Sequence, residues 1–134
     1  TSKIIDRLKA VNDFYEAGYD VHLNYSPIIM YKDFVEDYKE LFTLVNAIID
    51  KSIQHKVKAE CIFLTHNKEM HQYNIDNDVP GEDFLWNPSL QEDKTSEYGG
   101  DNIRYYYRFK KDYIKKFENL HYHNIPWQTI RYIF

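Results

Sequence analysis

Three polar residues, Thr65, His66 and Asn67, follow directly on an apolar run and are the first candidates for chemistry in this sequence. The run Cys61-Ile62-Phe63-Leu64 is typical of a strand that is covered on both faces. Ligands of open α/β sheets and barrels bind at the carboxyl ends of such strands, where a hydroxyl, an imidazole and an amide could all hydrogen-bond them. The alternative is structural, because Thr and Asn also cap helices and a histidine can simply bond to a loop.

A metal site is the next chemistry to test, since the sequence has six His and one Cys. His66 and His71 are spaced so that their rings do not share one face of a helix, and the sequence offers them no evident acidic partner. The segment from Asp76 to Asn87 approaches a calcium-loop pattern, but Pro80 takes a ligand position and Asn87 stands where the closing Glu belongs. We therefore predict no metal site, and we expect Cys61 to be an inert packing residue.

Cationic and aromatic side chains are interleaved in the last third of the chain. The cations are Lys94, Arg104, Arg108, Lys110, Lys111, Lys115 and Lys116. The rings among them are Tyr98, Tyr105, Tyr106 and Tyr107. Cations neutralise phosphates and rings stack on bases, so this pattern favours a nucleic-acid surface. The alternative is a solvated helix face beside a tyrosine-rich hairpin.

The totals describe one globular domain over residues 1–134, with a net charge of −4 and no overall basic field. A single cysteine excludes an intrachain disulfide and predicts a reducing, cytoplasmic setting. No apolar stretch is long enough to span a bilayer, so we expect no membrane partner. The chain begins at Thr1 without an initiator Met and looks like part of something longer.

The elements that must position these residues alternate between helix and strand. The apolar spacing predicts helices over 4–15, 32–50, 68–73 and 110–120, and strands over 19–25, 60–67 and 129–134, the last one buried. Such alternation predicts an α/β fold with a parallel sheet. Phe84 to Pro88 and Asn102 to Tyr107 read as a β-hairpin around a loop that contains Lys94, within a hairpin-containing insertion over 83–108.

Five runs in this order resemble the C-terminal portion of the spore photoproduct lyase family. They are Ala17-Gly18-Tyr19-Asp20-Val21-His22-Leu23-Asn24-Tyr25-Ser26-Pro27, Glu60-Cys61-Ile62-Phe63-Leu64-Thr65-His66-Asn67, Leu85-Trp86-Asn87-Pro88, Tyr98-Gly99-Gly100 and Ile130-Arg131-Tyr132. The resemblance implies the C-terminal part of a partial (β/α) barrel from a radical S-adenosylmethionine enzyme, and a DNA repair context in which a thymine dimer is split.

The resemblance also implies cofactors that this chain cannot hold alone. In the family, three cysteines in the N-terminal half bind a 4Fe-4S iron–sulfur cluster, which reduces S-adenosylmethionine to a 5′-deoxyadenosyl radical. This sequence has only Cys61, and the hydrogen-donating cysteine of the lyases has no evident match. We therefore expect the cluster and S-adenosylmethionine in the parent protein, neither bound to this chain alone, and no activity from the chain by itself.

By the same resemblance, Asn24, Tyr25 and Ser26 would touch S-adenosylmethionine, and Thr65, His66 and Asn67 would line the same mouth. The hairpin would lie against damaged DNA, with Lys94, Tyr98 and Arg104 as its contacts. Two other functions stay open, namely a free-standing nucleic-acid-binding module and an interaction domain that presents its tyrosines to a partner. Open sheet edges also predict that the chain forms a homodimer.

Overall fold

The computed structural model describes residues 2–95, 97 and 99–134. The helices among these residues are α1 (Ile4–Glu16), α2 (Phe34–Ile48), α3 (Lys68–Asp76), α4 (Glu82–Leu85) and α5 (Tyr107–Asn124). The strands in the same described part of the chain are β1 (His22–Ile28), β2 (Lys58–Phe63), β3 (Thr65–Asn67), β4 (Gln91–Thr95), β5 (Asp101–Tyr105) and β6 (Ile130–Ile133). A short 3-10 helix, Gln54–Lys56, connects α2 to β2.

A parallel sheet with the strand order β1-β2-β6 confirms the predicted α/β arrangement. The central strand β2 is apolar on the side that carries Ala59, Cys61 and Phe63, and all three side chains are buried. Helices α2 and α5 cover this side, because Phe42 and Phe117 both make edge-to-face ring contacts with Tyr25 of β1. Aromatic side chains therefore form much of the core between the sheet and these helices.

Strands β1 and β6 are the two edges of this sheet. The strand predicted over 129–134 exists, but it is only half-buried, and Tyr132 and Phe134 are exposed. A strand that pairs on one side and leaves its other side open cannot be as buried as a central strand. Such open edges are what the predicted homodimer requires, and the dimer stays a prediction.

Strand β1 has the predicted length but lies three residues further along the chain, over 22–28 in place of 19–25. It continues through Ser26 and Pro27 to Ile28, and the Ser26–Pro27 peptide bond is cis. Proline lacks an N–H but is tolerated on an edge strand, where one side of the backbone needs no partner. Asn24, Tyr25 and Ser26 therefore lie in the middle of the strand and not, as predicted, at its carboxyl end.

The predicted strand over 60–67 is wrong as a single element. Strand β2 ends at Phe63, and after Leu64 the chain enters β3, which belongs to a second sheet with the order β3-β5-β4. This sheet is antiparallel, with Thr65 opposite Arg104 and Asn67 opposite Asn102. Thr65, His66 and Asn67 therefore form the first strand of the sheet that contains the hairpin, and this strand links the two sheets directly.

The hairpin is present, but its first strand is not the one predicted. Residues 82–85 form the short helix α4, and the first strand is Gln91–Thr95, so Lys94 lies in a strand and not in the loop. The hairpin pairs Lys94 with Asn102 and Glu92 with Arg104. Helix α5 begins at Tyr107, earlier than the predicted Lys110.

Among the described residues, no helix is both long and apolar enough to cross a lipid bilayer.

Candidate functional site

The antiparallel sheet has one outer face and one inner face, and these separate the predicted site residues. Side chains opposite each other in an antiparallel pair share a face, as do residues two apart along a strand. The outer face therefore carries Thr65, Asn67, Lys94, Asn102 and Arg104. The structure thus places two predicted cofactor contacts on one surface with two predicted DNA contacts.

A third cation, Lys110, lies close to the two cations of this outer face, Lys94 and Arg104. Lys94 is exposed, and the side chain of Arg104 is about half exposed. Burial lowers the pKa of Lys110, and the nearby charges of Arg104 and Lys94 lower it further. Arg104 Nε also donates to Glu92 Oε1 at 3.1 Å, which offsets part of the positive charge. The outer face is a cationic surface of the kind that attracts phosphate.

Asn67 has a structural task as well. Its Oδ1 accepts hydrogen bonds from the backbone N–H groups of Glu69 at 2.8 Å and Met70 at 3.1 Å, so it caps helix α3. Its Nδ2 donates to Asn102 Oδ1 at 3.3 Å across the sheet. Asn67 therefore acts as a helix cap, the structural alternative to a ligand contact. Both the oxygen and the nitrogen of its side-chain amide already have hydrogen-bond partners.

His66 points to the inner face, away from its two neighbours. It lies opposite Ile103, is buried, and its Nε2 lies 2.8 Å from Glu82 Oε1. His71 Nδ1 approaches the same oxygen at 2.5 Å. Burial opposes ionisation of Glu82, but hydrogen bonds from Asn74, His71 and His66 lower the pKa of its carboxyl group. His66 therefore belongs to a buried polar cluster and not to the surface that Thr65 and Asn67 share.

Sequence reasoning missed Glu82 as the partner of the two histidines. The structure brings it there because Gly81, at φ 90°, turns the chain sharply into α4, a left-handed conformation that suits glycine. The usable signal is the Pro80-Gly81 turn, which folds the following acidic residue back onto helix α3.

The other predicted cofactor contacts lie along the edge strand β1. Asn24 and Ser26 are exposed and line a cavity of about 240 Å³ between α1, β1 and α2, together with Arg7. Tyr25 is buried on the helix-covered side, and its hydroxyl donates to Gln128 Oε1 at 3.0 Å. Burial raises the pKa of the Tyr25 hydroxyl, so this side chain is a neutral core group.

The uncovered face of the parallel sheet carries a polar cluster next to Asn24. Glu60 lies beside Asn24 in the register, and its Oε1 accepts from Arg131 at 2.5 Å and lies 3.2 Å from His22 Nδ1. A hydrogen bond with Tyr132 lowers the pKa of Glu60 most, and His22 and Arg131 add to the effect. This face is polar and ordered, unlike the aromatic face that the helices cover.

Tyr98, the remaining predicted DNA contact, lies outside the described residues.

The family model described as spore photoproduct lyase matches residues 1–134. A search of curated proteins found no match to this chain. A spore photoproduct lyase double mutant with bound AdoMet and dinucleoside spore photoproduct shares 19% identity and a TM-score of 0.85. A spore photoproduct lyase complexed with dinucleoside spore photoproduct shares 19% identity and a TM-score of 0.82. Each comparison covers 100% of this chain and 39% of the other.

This chain therefore spans about two-fifths of the length of the solved structures that it matches, 39% in each case. The structural likeness confirms the predicted fold class, in which the parallel sheet, its helices and the hairpin form part of a larger fold. The match of the family model over the whole chain confirms the resemblance drawn from the motifs: the chain belongs to the spore photoproduct lyase family.

Proposed function

We propose that this chain is part of a radical S-adenosylmethionine lyase that repairs a thymine photoproduct in DNA. The observation that carries the proposal is the family match over residues 1–134. Solved relatives of the same fold hold AdoMet and dinucleoside spore photoproduct, which supports a nucleic-acid lesion as the substrate class. The polypeptide that performs the reaction is longer in those relatives, so this chain contributes a part of the site.

Within that enzyme, the outer face of the β3-β5-β4 sheet is the surface that meets the DNA backbone. Lys94 and Arg104 share this face, and Lys110 lies close enough for their charges to lower its pKa. Each cation that neutralises a phosphate releases a condensed counterion, which makes binding depend on salt. Thr65 lies opposite Arg104 on the same face and adds a hydroxyl donor.

The residues along β1 fit a role in holding S-adenosylmethionine. Asn24 and Ser26 are exposed polar groups beside a concave surface, and they suit the hydroxyl and amino groups of a nucleoside. Tyr25 could contribute only its backbone, since its ring lies in the core. When bound, S-adenosylmethionine supplies a radical that abstracts a substrate hydrogen; these residues bind and orient it.

The residues of this chain do not fit the iron–sulfur cluster. Such a cluster needs several cysteine thiolates, and the one thiol present, Cys61, is buried in the core. Burial also raises the pKa of this thiol to about 12. The cluster ligands must therefore come from elsewhere in the parent protein.

The DNA surface is tested by titrating the chain with a fluorescent DNA duplex at several salt concentrations. The double variant Lys94→Ala/Arg104→Ala removes two cations of the outer face, and Lys39→Ala/Lys51→Ala removes two exposed cations elsewhere. Removing two phosphate contacts should reduce the slope of log affinity against log salt by about 1.8, at roughly 0.9 for each contact with duplex DNA. The control variant should leave the slope near that of the unsubstituted chain.

Absent or salt-independent binding would contradict the proposed surface. Equal losses in the two double variants would also contradict it, because they would show that only total charge matters.

A further inference from the structure

Three side chains able to bind a metal converge on the inner side of the second sheet. His66 comes from β3, His71 from α3 and Glu82 from α4, so three separate elements supply them. Across residues 2–95, 97 and 99–134, they are the one group of three or more His, Cys, Asp or Glu residues that meets this condition: their ligand atoms all lie within 4.8 Å of one another. The side chains of His66 and Glu82 are buried, and that of His71 is 22% exposed.

The surroundings fix the orientation of these three groups. Asn74 is buried, and its Nδ2 donates to Glu82 Oε2 at 2.5 Å, which leaves Oε1 turned towards both imidazoles. The indole of Trp86 stacks on the His71 ring at a centroid distance of 3.9 Å and an interplanar angle of 5°. Metal-ligating carboxylates and histidines usually have partners of this kind, which hold the ligand atoms ready.

We propose that His66, His71 and Glu82 bind one divalent transition-metal ion, for which zinc is the best-matched probe. Two imidazole nitrogens and one carboxylate oxygen are ligands that zinc prefers, and three protein ligands leave a fourth position for water. At ordinary zinc–ligand distances, neighbouring ligand atoms of a tetrahedral site lie about 3.3 Å apart. The present separations from Glu82 Oε1 are 2.8 and 2.5 Å, so the two rings need to retreat from it only slightly.

The metal would take the place of two ring hydrogens in this cluster. Without it, Glu82 Oε1 is shared by two ring N–H groups, which occupy the nitrogen atoms that a metal would use. Metal binding requires those two nitrogens to carry no hydrogen, which a neutral imidazole achieves by holding its hydrogen on the other ring nitrogen. The bound ion would tie β3, α3 and α4 together from within, and so hold the sheet that carries the proposed DNA surface.

The test is a calorimetric titration of the chelator-treated 134-residue chain with zinc chloride near pH 7.5. We expect one equivalent of zinc to bind to the unsubstituted chain. Glu82→Gln keeps the shape of the side chain but lacks its charge, and His71→Gln removes one ring. Each should weaken zinc binding at least about tenfold, while His55→Gln, at an exposed histidine in the connection before β2, should not.

A second measurement does not depend on variants. Cobalt(II) bound to nitrogen and oxygen ligands in a tetrahedral site gives visible absorption bands, and zinc should displace them at one equivalent. The proposal is overturned if the unsubstituted chain shows no saturable zinc binding up to about 100 μM, a range in which built protein sites for zinc are filled. It is overturned equally if His55→Gln weakens binding as much as His71→Gln does.

Discussion

The hydroxyl of Tyr105 holds the hairpin against the loop that follows β1, and its removal gives a direct test of how the two sheets are joined. Tyr105 is 2% exposed at the end of β5, and its hydroxyl oxygen accepts a hydrogen bond from the backbone N–H of Met30 at 3.1 Å. Met30 is itself 3% exposed, so water cannot easily replace this acceptor. Tyr105→Phe should therefore leave a buried backbone donor without a partner.

The cost follows from that unpaired donor. Leaving a buried N–H unsatisfied costs about 1 to 3 kcal/mol, and the ring itself is kept, so little cavity energy is added. For a chain of 134 residues this corresponds to a fall of about 4 to 11 °C in Tm. Tyr107→Phe is the matched control, because Tyr107 is 69% exposed and its substitution should change the free energy of unfolding by less than about 0.5 kcal/mol.

The assay is urea unfolding followed by circular dichroism, with hydrogen exchange at the Met30 amide as a local readout. We expect Tyr105→Phe to lower the unfolding free energy and to speed exchange at Met30. If Tyr105→Phe were no more destabilising than Tyr107→Phe, and exchange at Met30 were unchanged, the hydrogen bond would not join the two sheets as described.

Three further predictions concern the core. Cys61 is buried and burial raises its thiol pKa to about 12, so iodoacetamide at pH 8 should label it only after unfolding, as mass spectrometry can check. Burial lowers the pKa of His121, whose Nε2 bonds to Gln128, so the unfolded chain binds more protons near pH 6; stability should fall as pH drops below about 6.5, less so in His121→Gln. Phe117→Ala should cost about 3 to 5 kcal/mol in urea unfolding, against little for Tyr122→Ala at an exposed position.

The sequence predicted the parts of the fold that depend on regular apolar spacing. Helices α1, α2 and α5 and the buried strand β2 follow from such spacing, and their alternation predicted the parallel sheet. The errors fall where pairing partners decide the structure. Gln91–Thr95 contains Glu, Asp and Lys, which are poor strand formers, and it becomes a strand because β5 pairs with it.

Two aromatic segments were misread for a related reason. Phe84 and Leu85 look β-prone but lie in α4, where the buried hydrogen bonds of Glu82 anchor the helix. Tyr107 begins α5, although tyrosine is enriched in strands. Local propensity is a weak signal over segments this short, and tertiary contacts override it.

The candidate site shows the same limits. The residue pattern identified the hairpin and the polar residues Thr65, His66 and Asn67, and the resemblance supplied their expected roles. The structure places Thr65, Lys94 and Arg104 on one face. The inward turn of His66 depends on strand pairing, and its meeting with Glu82 depends on the turn at Gly81. Neither can be read from residue spacing alone, because each needs the three-dimensional path of the chain.

The most direct test of the proposed function is an assay of the full-length protein that carries this chain, reconstituted with its cluster and supplied with S-adenosylmethionine, a reductant and dinucleoside spore photoproduct. The account predicts that the lesion is converted to its two thymidines, and that Lys94→Ala/Arg104→Ala lowers the rate on a lesion in duplex DNA much more than on the dinucleoside, because the duplex has more phosphates to contact. Cleavage of S-adenosylmethionine without any loss of the photoproduct would contradict it.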